Sequence, residues 1–114
     1  MSNESQYDII VDIYFLTTKE GGRAHPLAPK LIGFPFRPDN EKYREQYGGI
    51  NHFFESYIRY ERWVYPGETL MGAKVKFLWP EGAMPFLSVG TKFILWDRRE
   101  FARGIIIEIA EDQK

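Results

Sequence analysis

Residues 7–23, YDIIVDIYFLTTKEGGR, contain an alternating run that ends in a turn with two glycines. The period-two alternation is typical of a strand with one buried face, so we predict a strand over residues 8–16. Its apolar side consists of Tyr7, Ile9, Val11, Ile13 and Phe15. Gly21 and Gly22 can adopt positive φ at low steric cost, so residues 17–23 predict a chain reversal.

Apolar or aromatic runs farther along predict five more strands. They cover residues 31–36, 50–64, 73–79, 92–96 and 101–110. Gly33 and Pro35 interrupt the first of these runs, which favours an edge strand or a bulged segment. Pro66-Gly67 has the order that a type II turn requires and predicts a corner. In the last run, Ile105, Ile107 and Ile109 are predicted to share one face.

In two regions the sequence fits more than one local structure. Residues 39–49 are polar and charged around two tyrosines, which fits either a short surface helix or an extended loop. In residues 50–64 the spacing of Phe53, Tyr57 and Tyr60 fits a helix face. Phe53, Tyr57 and Trp63 are separated by even numbers of residues, so they would also share one face of a strand. The aromatic and β-branched content of this region favours a strand.

The predicted elements indicate an all-β fold, a small antiparallel sandwich or barrel without a long helix. A chain of 114 residues, of which 44% are hydrophobic, is the size of one domain with a real core. We expect residues 1–114 to form that single domain, with a flexible polar N-terminus at residues 1–6.

Composition excludes several classes of function. The net charge of −1 and the sequence pI of about 6.1 provide no overall positive field for polyanions. The absence of cysteine excludes disulfides and thiolate metal sites and is compatible with a cytoplasmic location. No apolar run approaches the length of about 20 residues that spans a bilayer, and no signal peptide pattern is present.

Motifs of catalysis are also missing from the sequence. It contains no Gly-x-x-x-x-Gly-Lys-Ser/Thr loop for nucleotide phosphates. His25 and His52 lie far apart and have no metal-ligand spacing. Ser56 and Ser88 lack the surroundings of a nucleophile. We therefore expect no enzymatic activity, metal, cofactor or bound nucleotide.

Several motifs follow one another in a recognisable order. They are Glu20-Gly21-Gly22-Arg23 with His25-Pro26, Phe36-Arg37-Pro38, Val64-Tyr65-Pro66-Gly67-Glu68, Phe93-Ile94-Leu95 and Gly104-Ile105-Ile106. Over residues 8–109 they resemble the third, C-terminal β-barrel domain of elongation factor Tu. The resemblance implies a closed, six-stranded Greek-key barrel, in which residues 39–49 are a departure or an insertion. The residues expected to be structural are Arg37, Pro38, Pro66, Gly67 and Gly104.

The resemblance also indicates an interaction surface. In elongation factor Tu the Glu-Gly-Gly-Arg turn and the strand that corresponds to residues 93–95 face the GTPase domain. Without a phosphate loop in this sequence, the GTPase activity is not carried over. We expect Arg23 to anchor its hairpin through hydrogen bonds to carbonyl oxygens.

Two further sets of residues are candidates for binding. The first is rich in aromatic residues and arginine, the types that dominate protein interfaces. It comprises Tyr57, Arg59, Tyr60, Arg62 and Trp63. Residues 39–68 around it contain four basic and six acidic side chains, a net charge of −2 that favours a protein partner over a polyanion.

The second set is basic and suits phosphate contacts. It comprises Lys74, Lys76, Arg98, Arg99 and Arg103. Residues 69–103 contain six basic and three acidic side chains, a net charge of +3. In elongation factor Tu this domain contacts the T-stem of aminoacyl-tRNA, partly through a glycine-rich segment near the position of residues 102–104. Of those glycines only Gly104 is present here.

The leading hypothesis from the sequence is a non-enzymatic module that binds a protein by mimicking part of elongation factor Tu. An immunity protein that neutralises a toxin would be one example. The alternative is an RNA-binding module that uses the basic residues on tRNA-like stems.

Overall fold

The computed structural model describes residues 7–111; the N-terminal segment predicted to be flexible lies outside these residues. Six strands and two short helices follow one another along the chain. They are β1 (Ile9–Phe15), β2 (Lys30–Asp39), α1 (Glu41–Tyr47), β3 (Phe54–Tyr60), β4 (Thr69–Phe77), α2 (Pro80–Ala83), β5 (Lys92–Trp96) and β6 (Glu100–Ile109). A single 3-10 turn, Met84–Phe86, follows α2.

The strands form a closed antiparallel barrel in the order β1-β4-β3-β2-β5-β6. Three consecutive strands, β2, β3 and β4, are neighbours, and the next strand, β5, returns to lie beside β2, which is the Greek-key arrangement. Because β1 also pairs with β6, the first and last strands of this order leave no exposed edge between them. The predicted all-β barrel with six strands is confirmed.

The barrel has two dissimilar ends. One end is built from the turn at residues 17–23, the corner at residues 62–68 and the hairpin at residues 97–99, and we call it the turn end. The opposite end carries α1, α2 and the loop that leads to β5. The turn end is held together by backbone hydrogen bonds, since the Gly67 N–H donates to the Phe15 carbonyl at 2.7 Å and the Leu16 N–H to the Phe101 carbonyl at 3.0 Å.

Phenylalanines fill the centre of the barrel. Phe36 is fully buried and its ring stacks on Phe93, with 4.4 Å between the centroids. The ring of Phe77 meets Phe36 edge-on at 5.0 Å. Three strands, β2, β4 and β5, are thereby joined through one aromatic cluster.

The polar segment at residues 39–49 is a short helix. Asn40 caps its first turn, because the Asn40 Oδ1 accepts a hydrogen bond from the Tyr43 N–H at 2.9 Å. Tyr43 is buried against the barrel, and Gly48 ends the helix with φ of 61°. The helix therefore closes the end of the barrel away from the turn end.

Residues 31–36, predicted to be an edge strand or a bulged segment, resemble an edge strand, although β2 as a whole lies inside the strand order. β2 is ten residues long and lies between β3 and β5. It pairs with β3 over residues 30–36 and with β5 over residues 36–39, so most of its length has one unpaired side. Pro35 and Pro38 are compatible with this position because a nitrogen without a hydrogen can face the unpaired side.

The predicted face of the last strand is wrong. Ile105 and Ile107 are 37% and 43% exposed, whereas Ile106 is buried. The pairing with β1 shifts by one residue between Ile10 and Val11, which indicates a bulge in β6. A bulge exchanges the two faces of a strand, so Ile109 still packs against the core although Ile107 does not.

β3 and β4 differ from their predicted bounds and faces. β3 is shorter than residues 50–64, and its buried side chains are Phe54, Ser56, Ile58 and Tyr60 rather than the odd-numbered aromatics. β4 begins at Thr69 and ends at Phe77. Trp79, the last residue of the predicted strand at residues 73–79, lies outside β4, is 59% exposed and precedes α2.

Candidate functional site at the turn end

The side chain of Glu20 holds the turn at residues 17–23. Its Oε1 accepts a hydrogen bond from the Thr17 N–H at 2.8 Å and another from the Tyr14 hydroxyl at 2.7 Å. These bonds stabilise the ionised carboxylate, so the pKa of Glu20 lies below its ordinary value, first because of the Thr17 N–H. The hydrogen bond to Glu20 raises the pKa of Tyr14.

The two glycines of this turn have different roles. Gly21 adopts φ of 98°, as predicted, and a Cβ there would meet nothing within 4 Å. Gly22 does not adopt positive φ. A Cβ at Gly22 would lie 2.1 Å from the Leu16 carbonyl oxygen, so this glycine permits two backbone segments to approach closely.

Arg23 joins the turn to the hairpin between β5 and β6. Its Nη1 donates to the Asp97 Oδ2 at 2.7 Å, and its guanidinium lies 5.9 Å from the centre of the Phe101 ring. The expected hydrogen bonds from Arg23 to carbonyl oxygens are absent among residues 7–111, and a carboxylate takes their place. Arg23 and Asp97 therefore link two loops that are far apart in sequence.

The hairpin at residues 97–99 places a strained arginine at its tip. Arg98 has φ of 69°, and no other residue of the described chain apart from glycine has positive φ. Its side chain forms no salt bridge within residues 7–111. Arg99 makes one long hydrogen bond, from its Nη2 to the Gly22 carbonyl at 3.4 Å. Both arginines of the predicted basic set thus lie beside the Glu-Gly-Gly-Arg turn.

The corner at residues 62–68 forms the third part of the turn end. Arg62 donates to the Glu68 Oε1 at 3.2 Å, and the same oxygen accepts the Tyr65 N–H at 2.8 Å. The Tyr65 N–H is the main cause of the lowered pKa of Glu68. Pro66 and Gly67 form the expected turn, with φ of 89° at Gly67. The corner is therefore ordered by its own hydrogen bonds.

The corner presents two large aromatic side chains to solvent. Trp63 and Tyr65 are each 52% exposed. Val64, between them, is buried and pairs with Leu27, which anchors the corner to the barrel. Aromatic side chains on an ordered backbone are typical of protein interfaces, because little conformational entropy is lost when they are covered.

A depression of about 590 Å³ lies between the turn and the hairpin. It is lined by Gly22, Arg23, Ala24, His25, Asp97, Arg98, Arg99 and Phe101. Three arginines and one carboxylate face the depression, so its net charge is positive. Two buried polar atoms at this end, the Arg23 Nε and the Tyr60 hydroxyl, have no hydrogen-bond partner among residues 7–111. Burial raises the pKa of Tyr60.

The structure regroups the two predicted sets of binding residues. Arg62 and Trp63 of the aromatic set join Arg98 and Arg99 of the basic set at the turn end. Tyr60 is 5% exposed and its ring belongs to the core, so it is not available to a partner. Four more residues lie together on the barrel wall formed by β3 and β4, and they are Tyr57, Arg59, Lys74 and Lys76.

Arg103 stands apart from the other basic residues. It lies on the outer face of β6 and its Nη2 forms a salt bridge with the Glu100 Oε2 at 2.8 Å. The register places it beside Tyr14 of β1 and Ile94 of β5. The predicted basic set is therefore divided among three regions and does not form one surface.

The remaining predicted residues lie within the barrel framework. Arg37 donates to the Asn51 Oδ1 at 2.6 Å, and Pro38 is buried in β2. A Cβ at Gly104 would lie 2.3 Å from the Asp12 carbonyl oxygen and 2.5 Å from the Phe93 ring, so a larger residue would separate β6 from β1. Asp97 was not predicted as a site residue, although it is the acidic neighbour of the Arg98-Arg99 pair.

Lowering the pH is expected to weaken the turn end. A carboxylate whose folded-state pKa is lowered contributes stability that is present above its ordinary pKa of 4.5 and is lost as the pH falls through the folded-state value. Thermal melts between pH 6 and about pH 3 should therefore show a steeper loss of Tm for the natural chain than for Glu20→Gln. Equal pH profiles would contradict the role of Glu20, and Glu55→Gln on the wall is the control.

Two general features of residues 7–111 bear on function. No helix in this part of the chain is long and apolar enough to cross a membrane. The same residues contain no group of three or more histidine, aspartate or glutamate side chains that could hold a metal ion.

Neither a scan against protein-family models nor a search of curated proteins finds a match to this chain.

Proposed function

We propose that the protein is a non-enzymatic binding module whose turn end recognises a protein partner by mimicking the third domain of elongation factor Tu. The observation that carries this proposal is Arg98. A residue with a side chain costs roughly 1–2 kcal/mol in the left-handed region, where glycine is the ordinary choice. Strain of this kind is typical of functional sites, and here it occurs at the rim of the depression, in an arginine whose guanidinium forms no salt bridge within residues 7–111.

The surroundings of Arg98 support a protein as the partner. Trp63 and Tyr65 add exposed aromatic surface to the same end, and tryptophan, tyrosine and arginine are the side chains that contribute most to protein interfaces. The Arg23–Asp97 salt bridge and the Glu20 hydrogen bonds hold the loops in place. A rigid surface loses less entropy on binding than a mobile one.

The Glu-Gly-Gly-Arg turn supports the mimicry. In elongation factor Tu this turn faces the GTPase domain, and here it forms the rim of the exposed depression. A protein that recognises this face of elongation factor Tu would find a similar surface on this chain. A toxin that acts on the factor, with this protein as its immunity partner, is one concrete case.

The RNA alternative has less support. A continuous basic surface is needed to follow a phosphate backbone, and the five basic residues are divided among the turn end, the wall and β6. Arg103 is neutralised by Glu100, and Arg99 bonds to a carbonyl. Binding to tRNA-like stems remains a measurable alternative with a distinct outcome below.

Replacing Arg98 by glycine should separate stability from binding. The variant is expected to gain about 0.5–1 kcal/mol of stability, because the relief of strain exceeds the entropy that glycine adds to the unfolded chain. It should nevertheless lose the partner. Arg98→Lys, which retains the charge and the strain, should keep most of the binding. Chemical denaturation measures the first effect and a binding assay the second.

In the binding assay, the tagged protein captures its partner from native cell lysate. One half of the lysate is treated with RNase and the other half is not. We expect a protein that survives RNase, is lost with Trp63→Ala and Arg98→Gly, and is displaced by excess elongation factor Tu. Val89→Ala, which removes an exposed apolar side chain at the opposite end, is the matched control. Capture that RNase abolishes would support the RNA alternative, and capture unaffected by Trp63→Ala and Arg98→Gly would overturn the assignment to the turn end.

A further inference from the structure

A cluster of basic side chains lies on the barrel wall, away from the turn end. The register of β2, β3 and β4 brings outward-facing residues into two rows. Leu31, Arg59 and Lys74 form one row, and Gly33, Tyr57 and Lys76 form the other. A groove of about 360 Å³, which we call the wall groove, runs between these residues. It is lined by Leu31, Tyr57, Arg59, Lys74 and Lys76.

The three cations of the wall groove are not neutralised by the described chain. Arg59, Lys74 and Lys76 form no salt bridge and donate no side-chain hydrogen bond to any residue from 7 to 111. Lys74 lies 5.4 Å from the centre of the Tyr7 ring, a cation–π contact that leaves its charge in place. Three positive charges are thus concentrated on a protein whose net charge is −1.

The spacing of these charges suits an extended peptide. Lys74 and Lys76 are two residues apart on one strand, or roughly 6.6 Å, which is also the separation of alternate side chains in an extended chain. Arg59 is directly opposite Lys74 on β3, at the roughly 5 Å of a cross-strand pair, so one carboxylate can contact both. A second carboxylate two residues along reaches Lys76.

The apolar groups of the groove favour a protein segment over a nucleic acid. Leu31 is 55% exposed at one side of the groove, and Tyr57 is half-buried between the cations. Glu55 lies on the same outer face of β3, two residues from Tyr57, and Glu108 is held nearby by the Tyr7 hydroxyl at 3.3 Å. These carboxylates would repel a phosphate backbone that extended past the cations, whereas a protein segment can carry uncharged residues beyond its own carboxylates.

We infer that the wall groove binds an extended acidic segment of a protein, with carboxylates at alternate positions against Arg59, Lys74 and Lys76. The inference does not rest on the proposed function, because its residues lie outside the turn end. Electrostatic complementarity of this kind sets specificity and the rate of association more than affinity.

The test uses the full chain and a short fluorescein-labelled peptide in which glutamate alternates with serine, measured by fluorescence anisotropy. The peptide should bind, and a peptide with glutamine in place of glutamate should not. Lys76→Glu should weaken binding by about tenfold or more. Lys92→Glu makes the same change of charge on β5, on the opposite side of the barrel, and should have little effect.

A charge exchange makes the test specific. A peptide in which lysine alternates with serine should bind Lys76→Glu better than the natural chain, which a general loss of folding cannot produce. Equal effects of Lys76→Glu and Lys92→Glu would overturn the inference, since only the net charge would matter. It would also be overturned if a labelled oligouridylate bound the groove with a steep salt dependence and the acidic peptide did not.

Discussion

Phe36→Ala is expected to destabilise the barrel by about 3–5 kcal/mol, a large part of the roughly 5–15 kcal/mol that folds a domain. Phe36 is fully buried, stacks on Phe93 and meets the edge of Phe77. Removal of its ring leaves a cavity that three strands border, and a closed barrel cannot collapse around such a cavity without breaking strand pairs. Urea denaturation followed by circular dichroism measures the loss.

The control for this prediction is Phe36→Leu, which keeps most of the volume and should cost roughly 1–2 kcal/mol. A second control, Met71→Ala, removes a side chain of β4 that is 69% exposed and should change stability by less than about 0.5 kcal/mol. If Phe36→Ala were as mild as Met71→Ala, the aromatic cluster would not be the centre of the core.

Gly22→Ala is expected to cost about 3 kcal/mol or more, because the added Cβ would lie 2.1 Å from the Leu16 carbonyl oxygen. The obstacle is backbone, so the turn at residues 17–23 must move as a whole. Movement of the turn would separate Arg23 from Asp97, and the partner should then bind weakly even at temperatures where the barrel remains folded.

Gly21→Ala is the matched comparison for this substitution. It lies next to Gly22, has φ of 98° and free space around its Cβ, and should cost only roughly 1–2 kcal/mol of backbone strain. Denaturation curves of both variants, with an amide NMR spectrum of each, distinguish a local change at the turn from global unfolding. A smaller cost for Gly22→Ala than for Gly21→Ala would contradict the close approach.

The six strands were predictable because each has a local signal. The alternation in β1, the Pro66-Gly67 corner and the glycine-containing turn after β1 depend on neighbouring residues, and the structure contains all three. The sequence does not decide the helix at residues 41–47, since the cap at Asn40 and the burial of Tyr43 depend on the surface that the barrel supplies.

The candidate site was less predictable. The turn motif and the arginines were identified, but their grouping was wrong. The sequence placed Trp63 with Tyr57 and Arg98 with Lys74, because these residues are close in the chain or alike in charge. Strand register, which joins residues that are distant in sequence, separates both pairs.

The sequence by itself determined the fold class, the positions of the turns and the absence of recognised catalytic motifs, because period-two patterns and turn residues act over a few neighbouring positions. The tertiary structure decided which side chains are buried and which are brought together. The register of β6 with its neighbours turns Ile105 outward, and the closure of the barrel buries Tyr60 and leaves Arg98 at the rim beside Arg23. Those outcomes depend on strand pairing between distant segments, which no local pattern of residues records.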